Sequence, residues 1–215
     1  MDLHTPASTT RARRFTQFRV ILASALVFGV GATVTLASWN DKDVADATFT
    51  AGRFGIVGNA TTAPESFIDH TVTTPAALAF SLAPTAMVPG TVTYALYSVK
   101  TISGGVAGNL TVSANPANAA LTNLGHYLTY SVRTIAGTTC SSATFAAAGS
   151  VEVIPAGSKL DVGSVTPVAI AADGGQINYC FQVTLPTSTI DDAQGKAVTA
   201  VWTITAEAAA PAPAP

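Results

Sequence analysis

Charge is scarce in this sequence. Asp, Glu, Lys and Arg make up 10% of its 215 residues, against about a quarter in an ordinary globular chain. A surface so poor in charge has to be built from Thr, Ser, Asn and Gln, as in many extracellular β-proteins. The formal charge is −2, and it falls to −5 without residues 1–37, which carry four Arg and one Asp. Such a chain offers no basic face and gives no reason to expect nucleic acid as a partner.

Histidine and catalytic motifs are as thin. Of three histidines, His4 lies in the leading segment, which leaves His70 and His126. No HExxH pairs two of them on one helical turn, so a zinc protease lacks its ligands. No GxSxG supplies a nucleophile elbow. Gly104-Gly105 and Gly174-Gly175 are followed by neither a helix nor a Lys and read as turns rather than phosphate cradles. Carboxylates cluster only at Asp41/Asp43/Asp46 and at Asp191/Asp192. The first set reads as a solvated linker. The second falls in an expected hairpin loop, Thr189–Lys196, where a calcium ion would lack EF-type spacing. No enzyme, no metal site and no cofactor is expected.

Cysteine is limited to Cys140 and Cys180. An even count in an exported chain reads as one disulfide. Cys180 lies on the polar parity of its strand, beside Asn178 and Gln182. A bridge to Cys140 is therefore expected to clamp the Thr134–Ser150 excursion over the outer face of a sheet, away from the core.

One long charge-free run is present. Arg11, Arg13, Arg14 and Arg19 form a basic head, and no charge follows from Val20 to Asn40. Basic residues held inside orient the apolar run outward. Small residues crowd its end, and Thr35-Leu36-Ala37 places signal cleavage between Ala37 and Ser38. The alternative is an uncut anchor, since about 20 apolar residues span a bilayer. In either case the remainder lies outside the membrane. The pair Arg13-Arg14 is followed by Phe15-Thr16-Gln17-Phe18, a poor fit to twin-arginine export.

Period-2 alternation dominates the rest. A first strand is expected over Asp46–Val57, with a bulge at Gly52 where the apolar parity changes. Gly58–Thr74 reads as a loop. Leu78, Phe80 and Leu82 alternate next, then Thr91–Ile102 with Val92, Tyr94 and Leu96 inward. Leu110, Val112 and Ala114 follow; then Leu128, Tyr130 and Val132; Val151–Ile154; Val165–Ile170; and Ile177, Tyr179, Phe181, Val183 and Leu185. The last strand is Lys196–Thr205, with Val198, Ala200, Trp202 and Ile204 inward. Roughly nine short strands between Gly/Pro turns predict an all-β antiparallel sandwich over residues 38–207, behind an N-terminal signal helix in residues 1–37. Short turns are expected within Pro116–Gly125 and Cys140–Ala148. Ala208–Pro215, low-complexity Ala and Pro, reads as a disordered tail or a short spacer.

Two stretches carry a family resemblance. Ser38-Trp39-Asn40-Asp41 follows the expected cleavage point, and Ala47-Thr48-Phe49-Thr50-Ala51-Gly52 comes a few residues later. With the apolar segment, Pro89-Gly90, long strand and Gly-rich turn between Leu78 and Val112, they resemble the TasA/camelysin group. These are Gram-positive exported proteins with the alternate, SipW-type signal peptide. The resemblance implies a jelly-roll-like sandwich, processing by a dedicated signal peptidase, and self-association into extracellular or cell-surface fibres of a biofilm matrix. It also implies that the mature N-terminal segment is donated to a neighbour's sheet. Here that donor strand would comprise Trp39, Asn40, Asp41, Thr48, Phe49, Thr50, Ala51, Gly52 and Phe54. An extended, Thr-rich, alternating segment can add to an exposed edge, and it can equally pair within its own subunit. Camelysin is described as a metalloprotease, an activity for which this chain lacks the motif. Two readings remain: a secreted structural subunit of fibres, and a monomeric exported binding module or adhesin using loops at one end. Aromatics at 7%, mostly on inward parities, favour the first.

Overall fold

Alternating apolar residues make these segments strands, and the strands bury their apolar parity between two antiparallel sheets. The computed structural model describes residues 51–63, 66–82 and 87–210, all within a compact unit spanning Thr50–Pro215. The predicted signal helix, the cleavage point Ala37/Ser38, the donor residues from Trp39 to Thr50 and the tail beyond residue 210 lie outside the described residues.

Eight strands are described, against the nine expected: β1 (Ile56–Asn59), β2 (Val92–Thr101), β3 (Gly108–Ala114), β4 (Thr129–Ile135), β5 (Val151–Lys159), β6 (Val168–Ile170), β7 (Gln176–Thr184) and β8 (Trp202–Ala208). The only α-helix among the described residues is α1 (Ser142–Phe145), a single turn with a reciprocal Ser141/Thr144 capping box. Short 3-10 turns stand at Pro116–Ala119 and Leu124–His126, within the stretch where turns were expected. One sheet has the order β1-β2-β7-β4-β5 and the other β6-β3-β8. The chain changes sheet at five of its seven connections, as a jelly-roll-like sandwich does.

The core lies between the sheets. Leu110 and Val112 of β3 face Tyr130 and Val132 of β4, Ile154 of β5, and Tyr179, Phe181 and Val183 of β7. Each such fully buried side chain contributes roughly 1.5–3 kcal/mol. Trp202 of β8 spans the gap, with its ring 5.3 Å from Phe181 and 5.7 Å from Tyr130.

Several expectations are corrected. In β2 the faces are inverted: Ala95, Tyr97 and Val99 point to the opposite sheet, while Tyr94 and Leu96 lie on the outer face. Both parities of β2 are apolar, so alternation cannot choose between them. The register against β7 decides, since it pairs Ala95 with Phe181 and Tyr97 with Tyr179. Leu78–Leu82 forms no strand: Phe80 makes a lone bridge to Ala95, and Leu82 is exposed. Of the expected first strand, residues 51–55 are irregular and β1 begins at Ile56, while residues 46–50 lie outside the described residues. Gly52 lies in irregular chain without a paired bulge, next to a parallel bridge between Arg53 and Gly105. β6 is only three residues long, and Val165 is exposed. β8 begins at Trp202 rather than Lys196, although Val198 and Ala200 keep the inward parity and pack on the core. Asp191/Asp192 sit in a 3-10 turn on the crossover from β7 to β8, which lie in different sheets, so the loop is no hairpin.

Candidate functional site

Three strands cannot cover five. Among the described residues no strand covers the inner face of the larger sheet beyond β8, and a cavity of about 1660 Å³ lies there. Its wall is mainly apolar, with Ile56 of β1, Leu78, Phe80, Tyr97 of β2, and Trp202 and Ile204 of β8. Trp202, Ile204 and Ala206 turn their side chains to the core yet stay only half-buried. A more polar end is formed by Asp69 and His70, with the His70 ring 6.4 Å from Tyr97. Burial, and secondarily the Asp69 carboxylate, raise the Tyr97 pKa above its ordinary value.

The edges of the two sheets differ in protection. β1 is covered by a mutual backbone pair, Gly58 N–H to Ile68 C=O at 2.9 Å and the reverse at 3.1 Å. β5 carries Pro155 mid-strand and the charges Glu152 and Lys159, devices that discourage further pairing. β6 is too short to template a strand. β8 has none of these protections along Trp202–Ala206. Among the described residues it pairs with β3 alone.

The phase of the β3–β8 ladder follows from its two ends. Asn115 N–H donates to Val201 C=O at 3.1 Å, and Ala209 N–H donates to Ala107 C=O at 2.9 Å. Antiparallel pairs alternate, so Thr203, Thr205 and Glu207 bond to β3. The N–H and C=O groups of Trp202, Ile204 and Ala206 then point to the open side. Three donors and three acceptors therefore line one rim of the apolar groove. Asn118 positions the start of this strand: its Nδ2 donates to Val201 C=O at 2.8 Å and to Leu160 C=O at 3.1 Å, and its Oδ1 accepts from Val201 N–H at 2.8 Å.

The other predicted residues are placed as follows. Cys140 and Cys180 are joined, with Cα atoms 5.3 Å apart. As expected, the bridge lies on the outer face, in a small cluster with Leu96, Ile135 and Phe145. Of the donor segment, Ala51 and Gly52 are exposed, whereas Phe54 is half-buried against Gly108 of its own subunit. Arg53 C=O accepts from Val106 N–H at 2.9 Å, so residues 53–54 belong to the domain that carries them. Asp191 accepts from Gln194 at 3.0 Å. His126 meets Tyr127 edge-on with ring centres 5.1 Å apart. Among the described residues no three His, Cys, Asp or Glu side chains are grouped as a metal site, and no helix is long and apolar enough to cross a membrane.

Sequence reasoning identified Trp202 and Ile204 as inward but missed that their edge is open. It missed the groove wall at Ile56, Tyr97, Asp69 and His70 altogether. The available signal was the unusual length of irregular chain between β1 and β2, which flanks the groove in place of a strand. No protein-family model matches this chain, and no curated protein matches it.

Proposed function

We infer that this protein is a secreted, non-enzymatic structural subunit that assembles by strand addition. The mature N-terminal segment of one copy would lie along β8 of the next. The observation that supports this reading is the unprotected β8 edge running beside a groove large enough for side chains. Strand addition uses main-chain hydrogen bonds for affinity and pockets for alternate side chains as its specificity. The segment after the predicted cleavage point has that form in part. Ala45, Ala47 and Phe49 alternate with Asp46, Thr48 and Thr50; further toward Trp39 the pattern is broken by Asp41 and Asp43 on the apolar parity and Val44 on the other. The donated part would end before Arg53, because residues 53–54 are engaged in their own domain. The resemblance to the TasA/camelysin group agrees with this reading, with a dedicated signal peptidase releasing Ser38 and fibres forming at the surface of a Gram-positive cell. A disulfide suits that oxidising setting.

Electron microscopy and sedimentation of the mature protein, residues 38–215, test the proposal. Fibres are expected, and deletion of residues 38–50 should leave folded monomers. A full-length mature protein that stays monomeric at high concentration would refute assembly and leave the monomeric binding module as the reading.

A further inference from the structure

A second apolar cluster lies on the opposite face of the larger sheet, unconnected with the groove. The β4–β5 connection, residues 136–150, leaves β4, reaches over β7 at Cys180 and brings the Cys140 sulfur beside Ala95 of β2. Beneath it lie Tyr94 and Leu96 of β2, Ile135 of β4 and Cys180 of β7, with Phe145 of α1 pressed onto them. The Phe145 ring meets Tyr94 edge-on at 5.9 Å, and the Arg133 guanidinium lies 5.4 Å from the Phe145 ring centre.

The attachment of this segment is sparse. Its backbone–backbone hydrogen bonds are internal: Phe145 to Ser141, Ala146 to Ser142, Ala147 to Thr144 and Ser150 to Ala147. Among the described residues, none joins it to a strand. Arg133 reaches Phe145 C=O at 3.4 Å and Ser150 Oγ at 3.1 Å. The remaining links are the packing of the single Phe145 ring and the disulfide. The sheet around the covered patch satisfies itself without the segment: Ser98 donates to Asn178 at 2.8 Å, and Gln182 donates to the Tyr94 hydroxyl at 2.9 Å. A unit with few apolar contacts and no shared ladder opens at low cost relative to the core.

We propose that residues 136–150 form a lid latched by Cys140–Cys180, and that reduction of this bond opens the lid while the sandwich stays folded. The opened state uncovers Tyr94, Leu96 and Ile135 on the outer face. Cys140 is the half-buried residue of the pair and Cys180 the fully buried one. A dithiol reductant therefore attacks Cys140 Sγ, forming a mixed disulfide, and Cys180 leaves as a thiolate that takes up a proton. The reductant's second thiol then displaces Cys140, also protonated, and the reductant ends as its own disulfide. Two electrons and two protons are transferred in all. Because Cys180 is held on β7, reoxidation closes the lid again.

Hydrogen exchange of the mature protein with and without dithiothreitol tests this. Reduction should speed exchange at Phe145, Ala146, Ala147 and Ser150 at least about tenfold, to the rate of unstructured peptide, while Val99, Phe181 and Val183 stay protected by at least about a hundredfold despite the lower global stability. Reoxidation should restore the original pattern. Loss of protection at both sets together would make the bond a global staple and overturn the proposal, as would an unchanged lid. Oxidised Phe145→Ala provides the control: its lid should remain protected, and a lid that opens without reduction would place the latch at Phe145 instead.

Discussion

At the scale of single residues, positions that tie β8 to the rest of the sandwich should be the most sensitive. A Cβ on Gly108 would stand 2.5 Å from Glu207 C=O and 2.6 Å from the Phe54 ring, closer than packed atoms tolerate. Gly108→Ala is expected to destabilise by about 1–3 kcal/mol, readable as a fall in the urea midpoint at unchanged slope. Asn118 is 2% exposed, and its truncation removes the side-chain partner of the Leu160 C=O and of the Val201 N–H. Asn118→Ala should cost about 1–3 kcal/mol through those orphaned groups, measured by the same denaturation. Leu110 lies opposite Ala206 but does not itself line the groove, and it is 0% exposed. Leu110→Ala should lower stability by about 2–5 kcal/mol and serves as a control for destabilisation that spares the edge itself.

At the scale of elements, β8 and the β4–β5 lid give separable predictions. Ala206→Pro removes an N–H that the ladder phase directs away from β3, and proline is tolerated at an edge when its missing donor faces outward. The variant should keep its circular dichroism and near-native stability yet lose fibre formation in a pelleting assay. Thr205→Pro, one residue away, removes an N–H bonded to β3 and should lower the stability of the monomer as well. The disulfide closes a sequence separation of 40 residues. The chain-entropy model gives it about 4 kcal/mol against global unfolding, a cost that a domain of this size can bear while remaining folded.

At the scale of the whole molecule, the buried tyrosines set an alkaline limit. Burial pushes Tyr130 up to about 12, with the Asp161 carboxylate adding to it, and burial raises Tyr179 as well. A phenol with a folded pKa above its unfolded value near 10 contributes stability that is intact below pH 10. That contribution declines as pH rises from about 10 toward 12, because the unfolded chain releases the proton first. Unfolding free energy should therefore be insensitive to these groups below pH 9 and fall above pH 10. Tyr130→Phe should flatten the alkaline slope in a pH series of denaturation curves.

Strand-by-strand alternation was enough to orient Leu110 and Val112, Tyr130 and Val132, and Tyr179, Phe181 and Val183, because in each the opposite parity is mainly polar, as with Asn178 and Gln182 flanking Cys180. The same reasoning located the cysteine bridge on the outer face, since Cys180 sits between Asn178 and Gln182. It failed at β2, where Tyr94 and Leu96 compete with Ala95, Tyr97 and Val99; two apolar parities require two covers, and only the packed chain shows which cover lies on which side. It failed also at Leu78–Leu82, whose alternation serves to line a groove rather than to form a ladder. The number of strands in each sheet depends on partners far away in the chain, a quantity that local periodicity does not encode. The sequence by itself thus determined an all-β chain with one outer-face disulfide. The tertiary structure alone decided that, among the described residues, one sheet is two strands narrower than the other, with the outer edge of β8 beside an apolar groove.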